Sequence, residues 1–437
     1  MKCLPRPDWR STCGLLLGLA VLTAVAPSRA SAGGILLYEV GTSEVGLASA
    51  GWAARAQDAS TVLTNPAGMA RLEGTHLLIG AQVLYGNLGF TPDSGTSPGL
   101  GTGNGGNPVG WFPGGGAYFT WAVSKEITVG LAAAGNFGMS LSYDQGWVGR
   151  YYAQEATLVG LSVLPSIAWR VHEQLSLGAS LNAMYGVLGQ KVAINSITGP
   201  DGQLALDDTA WGFGANLGLL WEPGPGTRLG LTYNSQVKLD FGARPAFTGV
   251  SPAFELLLRA RGLDTATVDL GIKVPQGVMV SAFHQLNDRW ALLGSLGWQQ
   301  WSRFGLLEAG VSDTSNPTSV TKDLDFKDTW HLAAGAQFQA TPAWRIDAGV
   351  AYDSGFQDAS NVSPMLPADA AWRFGAGLRN QATEKFGWGL SAEYAWGGTL
   401  GVEKQGISPV LGGRGNLSGA YADTGILFLA VHGDWRL

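Results

Sequence analysis

The 437-residue chain has only two cysteines, Cys3 and Cys13, and both fall at its very start. Lys2, Arg6 and Arg10 precede an apolar run from Gly14 to Ala26, and Ala30-Ser31-Ala32 follows. That order of charged, apolar and small residues reads as a secretory signal (1–32) cleaved after Ala32. The expected mature chain then has no disulfide, no thiolate nucleophile and no cysteine-ligated metal. It also lacks any uninterrupted apolar run of about 20 residues, which excludes an ordinary helical membrane protein. Histidine is scarce: His76, His172, His284, His331 and His432 are scattered, without helical metal-ligand spacing and without an H-x-S pair. No D-x-D-x-D-G run suggests a calcium loop. No catalytic residue, metal or cofactor is expected. Cleavage leaves 23 Lys+Arg against 32 Asp+Glu, net −9, with no basic stripe that would mark a nucleic-acid face.

What is abundant points elsewhere. Glycine numbers 65 and tryptophan 17, and the alternation of apolar with polar or small residues is sustained. Leu229, Leu231, Tyr233, Val237, Leu239 and Phe241 share one face of the 228–241 run; Trp344, Ile346, Ala348, Val350 and Tyr352 share another. Period-two runs of this kind are strands with one apolar face. They exceed the usual 5–6 residues of a soluble strand and reach the roughly 9–11 that cross a bilayer at a tilt. Aromatics such as Trp290, Trp298, Phe386 and Trp396 sit at the ends of the apolar faces, where interfacial girdles belong.

The pattern predicts an all-β fold of fourteen antiparallel transmembrane strands forming a barrel over 74–437. Short turns (Ser124-Lys125, Leu286 to Asp288, Thr341-Pro342) alternate with long loops at 87–114, 142–155, 195–208, 243–267, 304–325, 357–369 and 403–419. This is the outer-membrane arrangement, with both chain ends on the short-turn, periplasmic side. The 33–73 segment can then enter the lumen from below as a partly helical plug. Asn65 is a good N-cap, and Pro66 suits the first helical position, so a short helix is expected to start at Pro66 and run through Ala67. Asn65, Pro66 and Ala67 are the plug and gating candidates.

Two further motifs have competing readings. Gly101-Thr102-Gly103-Asn104-Gly105-Gly106 fits G-x-G-x-x-G but lies within a Gly/Pro/Ser loop without the flanking strand and helix of a nucleotide site, so it reads as flexible loop. In loop 243–267, Phe254, Leu256, Leu257 and Leu258 form an apolar cluster beside Arg259. It reads either as a ligand-binding patch suited to an amphipathic acid or as a loop helix packed on its neighbours.

Gly46-Leu47-Ala48 through Asp58-Ala59-Ser60 to Asn65-Pro66-Ala67-Gly68-Met69 resembles the N-terminal hatch of the FadL/TodX family of outer-membrane channels for long-chain fatty acids and other hydrophobic compounds. Trp211-Gly212-Phe213-Gly214, Val237 to Phe241, Trp301-Ser302-Arg303-Phe304 and Phe326-Lys327-Asp328 resemble later landmarks of the same family, in the same order. The resemblance implies a monomeric outer-membrane channel that passively takes up hydrophobic small molecules. Long-chain fatty acids lead, and aromatic or aliphatic hydrocarbons are the alternative. It implies capture at the loops, hatch movement and lateral exit where the third strand kinks, here at Gly135, Asn136, Phe137 and Gly138. The period-two pattern itself runs through this stretch without interruption. Lipid, lipopolysaccharide and the barrel-assembly machinery are the other implied partners, the last reading the C-terminal strand that carries Trp435 and Leu437. A non-transporting adhesin or structural barrel is the competing class.

Overall fold

The computed structural model describes residues 36–197, 199–313 and 318–437; the signal segment lies outside them. Fourteen wall strands form the barrel: β1 Thr75–Asn87, β2 Gly110–Ala122, β3 Ile127–Ser142, β4 Glu155–His172, β5 Leu175–Ile194, β6 Gly202–Gly224, β7 Thr227–Asn234, β8 Gly277–Gln285, β9 Trp290–Gln299, β10 Thr329–Gln339, β11 Trp344–Asp353, β12 Ala371–Gln381, β13 Phe386–Lys404 and β14 Leu417–Arg436. Each pairs antiparallel with its neighbours, and β1 closes on β14 from His76↔Arg436 to Asn87↔Gly425. Closure through β1 and β14 leaves no unpaired terminal strand, which is what a bilayer requires of strands.

The wall sorts its side chains as the alternation demands. Leu231, Leu292, Leu332, Ile346, Leu390 and Val431 are exposed and face outward; their sequence neighbours face the lumen. Trp121, Trp169, Trp221 and Trp290 lie near the short turns, and Trp111, Trp211, Trp330, Trp372 and Trp396 near the long loops. Cross-strand pairs such as Tyr85 with Trp111 and Tyr352 with Trp372, each 5.0 Å apart, build the outer girdle.

Residues 36–72 fill the lumen, and nearly all are buried. They contain a 3-10 turn Val45–Leu47, a helical turn Thr61–Thr64 and a 3-10 helix Pro66–Arg71. Arg71 pairs with Glu222, and Arg170 donates to the Ala70 carbonyl, which anchors the end of the plug at the periplasmic floor.

Several strands expected to be continuous are not. The 227–242 run breaks after Asn234, and the 268–286 run breaks at Pro275-Gln276. Between these breaks the chain leaves the wall. Val237–Ala243 and Thr267–Val274 pair with each other, and a hairpin of Leu306–Ser312 and Thr318–Asp323 extends them into a separate four-stranded sheet. Val237, Leu239 and Phe241 thus pack inside, against Gly212, Gly214 and Gly186 of β6 and β5, whereas Leu229 and Leu231 face lipid. The 289–303 run ends at Gln299 and gives way to a helical turn, Trp301–Phe304. The 195–208 loop is shorter than expected, because β6 already starts at Gly202.

Candidate functional site: the plug and the break in the wall

Asn65 caps the 3-10 helix as expected, its Oδ1 accepting from the Ala67 N–H at 3.0 Å. Its amide also donates to two carbonyls, Ala53 at 2.6 Å within the plug and Leu219 at 3.0 Å in β6. The wall is shaped to receive it. A Cβ on Gly218 would collide with Asn65 Oδ1, and one on Gly178 would overlap the Pro66-Ala67 backbone. Only glycine lets the two backbones come this close. One side chain thus ties the helix start, the plug interior and the wall together. Asn65→Ala should remove three hydrogen bonds, two of them fully buried, each worth about 1 kcal/mol. Limited proteolysis should then cut within 36–72 several-fold faster, while the barrel still migrates faster unheated than boiled on a gel. An unchanged cleavage rate would show that this motif does not hold the plug.

The plug core carries a buried charge cluster that the sequence motifs did not reveal. Arg55, 2% exposed, donates through Nε to Glu44 at 2.6 Å, through both guanidinium nitrogens to Asp58 at 2.8 and 3.2 Å, and to Ser60 at 3.0 Å. Burial pushes both carboxyls up. At Asp58 the Arg55 guanidinium overrides burial and holds the group well below the usual carboxylate range; at Glu44 burial wins. Higher on the wall, Arg373 ties plug residue Glu39 to Asp353 and Glu393.

At the kink candidates the wall is interrupted. In the β3–β4 ladder Gly135 pairs with Leu161 and Phe137 with Gly160, leaving Asn136 as an extra residue. That is a β-bulge, and it reverses which face the odd-numbered residues present. Leu131 faces lipid, whereas Phe137, Met139 and Leu141 are buried inside. Gly138 adopts φ +134°, and a Cβ there would strike the Leu158 carbonyl oxygen and lie 2.5 Å from Val159 Cα. The β2–β3 ladder ends at Gly116↔Ala134. Beyond that point residues 110–115 of β2 pair only with β1, and 135–142 of β3 only with β4. The plug meets this break. The Leu37 N–H donates to the Asn136 carbonyl at 3.0 Å, and Leu36 forms an isolated bridge with Phe137.

Phe137 also joins an aromatic cluster. It lies 6.3 Å from Phe304, and Phe304, Phe326, Phe356 and Trp301 continue ring to ring at 4.9–6.2 Å. These side chains come from the plug-facing wall and the extracellular loops, so sequence spacing gave no hint of the cluster. The loop candidates lie apart from it, on helix Pro252–Ala260. Leu258 is buried and Phe254 packs edge-on against Phe247, while Leu256 and Leu257 are 69% and 46% exposed.

The sequence profile of the outer membrane protein transport protein family (OMPP1/FadL/TodX) matches residues 23–430. A long-chain fatty acid transport protein of Escherichia coli O6:H1 is 27% identical, over 87% of this chain and 90% of that protein. Outer membrane protein P1 of Haemophilus influenzae is 28% identical, over 82% of this chain and 84% of its own length. Among solved structures, a FadL homologue of Pseudomonas aeruginosa superposes with a TM-score of 0.80 at 20% identity, covering 92% of this chain and 100% of that one. The toluene transporter TodX of P. putida superposes with a TM-score of 0.68 at 13% identity, covering 91% and 98%.

Proposed function

The chain belongs to the OMPP1/FadL/TodX family of outer-membrane transport proteins, and we propose that it works as a passive channel whose hydrophobic cargo leaves sideways through the break between β2 and β3. The family places it in the outer membrane and makes it a channel for hydrophobic compounds. Fatty acids and hydrocarbons are both within the reach of such a channel. The observation that supports a lateral route is the ladder that stops at Gly116↔Ala134 with the N-terminal end of the plug bonded across the bulge. A direct axial path is disfavoured by the plug, whose buried residues continue to the periplasmic floor. In this reading the exposed Leu256 and Leu257 gather cargo from the outside, and the aromatic cluster receives it. Release of Leu36 and Leu37 from Phe137 and Asn136 then opens the side exit. Asn65 to Ala67 hold the rest of the plug in place. The surrounding lipid accepts the cargo beyond the lipopolysaccharide layer, and the barrel-assembly machinery would read the β14 end. The expected unit is a monomer.

The test is uptake by cells that produce this protein and no other channel of the family. Labelled apolar probes should enter several-fold faster than in cells without it. Leu256→Ser with Leu257→Ser should slow entry a few-fold at low probe concentration and leave it unchanged at saturation, because capture precedes passage. A protein that folds and inserts but accelerates no apolar probe would favour an adhesin or structural role.

A further inference from the structure

We infer that the cargo crosses the barrel uncharged and carries a hydroxyl group, as in an alcohol, a phenol or a protonated fatty acid, and that an ionised carboxylate is turned away. This rests on the channel reading above and adds the substrate class. It starts from a cavity of about 80 Å3 just inside the bulge, between the plug's N-terminal end and strands β3, β5, β6 and β7. Among the described residues no charged side chain lines it. Its polar lining is instead dominated by carboxamides: Asn136, Asn182, Asn216, Asn234 and Gln299. Asn182 and Asn216 are 7% and 5% exposed, and the Oδ1 atoms of Asn136 and Asn182 are buried without a hydrogen-bond partner.

Carboxamides offer both donors and acceptors but no charge. A hydroxyl entering here would pair with an acceptor that otherwise has none. A carboxylate would shed its water with no cation to compensate, and a buried unpaired charge is among the costliest arrangements a protein can hold. Nearby cations are committed elsewhere: Lys238 and Lys273 to Glu308, and Arg373 to Glu39, Asp353 and Glu393. The outer groove beside the aromatic cluster is no more welcoming to an anion, because Arg303 shares it with Asp323 and Asp325.

Polarity assigns each part of the cargo a place: the carboxamides of the cavity suit its head group. The chain or ring falls to the aromatic cluster, which adjoins the cavity directly. Trp301 Nε1 donates to Gln299 at 2.8 Å, and Gln299 donates to Tyr38 of the plug at 2.6 Å. A carboxamide thus links the apolar cluster to the plug's N-terminal end.

Decan-1-ol, decane and decanoate give a matched series for uptake by cells producing this channel alone. At about pH 7.5, where a carboxyl is fully ionised, decanol entry should be accelerated about tenfold over channel-free cells, the factor that corresponds to about 1.4 kcal/mol of selective binding. Decane should gain less and decanoate nothing, and decanoate should begin to gain at about pH 5 as it protonates. Asn182→Leu should bring decanol down to the decane rate. Asn234→Lys, at an exposed lining position, should admit decanoate at the higher pH. Decanoate accelerated as strongly as decanol by the unaltered protein at pH 7.5 would overturn the inference and leave the channel reading standing. No acceleration of any of the three probes would overturn both.

Discussion

Gly138→Val should cut uptake of apolar probes by about tenfold or more while the barrel still assembles. The residue sits at φ +134°, a conformation that costs a residue with a side chain about 1–3 kcal/mol. A Cβ also has no room beside Leu158 and Val159. Valine is stiff at χ1 and prefers a regular strand. The simplest relief is to abolish the bulge at Asn136, which would return residues 135–142 to the plane of the wall and let the β2–β3 ladder extend past Ala134. The opening would then zip shut. Binding at the loop helix should stay within a few-fold, because Leu256 and Leu257 lie upstream and are untouched. A heat-shifted band on a gel separates this outcome from failure to fold. Undiminished uptake by a folded variant would remove the side exit from the mechanism.

Arg55→Met should loosen the plug far more than Asn65→Ala. The guanidinium is the central cation between Glu44 and Asp58; among the described residues, Arg379 is the other cation that approaches Asp58, at 3.9 Å. Removing one partner of a buried ion cluster leaves uncompensated charge and typically costs 3–5 kcal/mol, roughly. The barrel does not depend on this cluster, since its ladder closes through β1 and β14. Residues 36–72 should therefore become protease-sensitive and release at lower urea, while the heat shift persists. Small polar solutes should leak through the lumen. Combining Arg55→Met with Glu44→Gln and Asp58→Asn removes the stranded charges and should recover most of the loss. A triple variant as loose as the single one would mean that packing, not charge, holds this part of the plug. Acid should act in the same direction. This holds for Asp58, which titrates well below its unfolded value of about 3.9, so that its contribution is in place above that pH and is lost as the pH falls through the folded value; Glu44, raised by burial, has the opposite sign and is relieved by protonation.

The barrel was legible because lipid imposes one rule on every wall strand. Leu229, Leu231 and Tyr233, or Ile346, Ala348 and Val350, alternate because one face meets hydrocarbon and the other the lumen. The same rule concealed the two places where the wall is broken. At Asn136 the bulge moves odd-numbered residues from outside to inside, yet Leu131 and Phe137 are both apolar, since lipid and aromatic cluster ask for the same chemistry. After Asn234 the chain turns inward, and Val237, Leu239 and Phe241 continue the parity of Leu229 and Leu231 with the opposite destination. A pattern that records only polarity cannot register a change of side when both sides are apolar. Pro275 was the one readable sign, because proline cannot donate to a ladder in the middle of a wall strand. Asn65-Pro66 was legible for the opposite reason: a helix start is written in adjacent residues. The Arg55 cluster and the five carboxamides were not, because β3, β5, β6, β7 and β9 bring the latter together from across the barrel.

The most direct measurement is where a cargo molecule touches the protein on its way out. A decanol carrying a diazirine can be loaded into outer-membrane vesicles containing the unaltered protein, activated by light, and its attachment sites mapped by peptide mass spectrometry. The lateral account predicts labels on Asn136 to Met139, on the facing upper half of β2, and on surrounding lipid. It predicts none on the periplasmic floor from Pro66 to Leu72. Labels concentrated on that floor, with Asn136 to Met139 clean, would contradict it and mark an axial path past the plug.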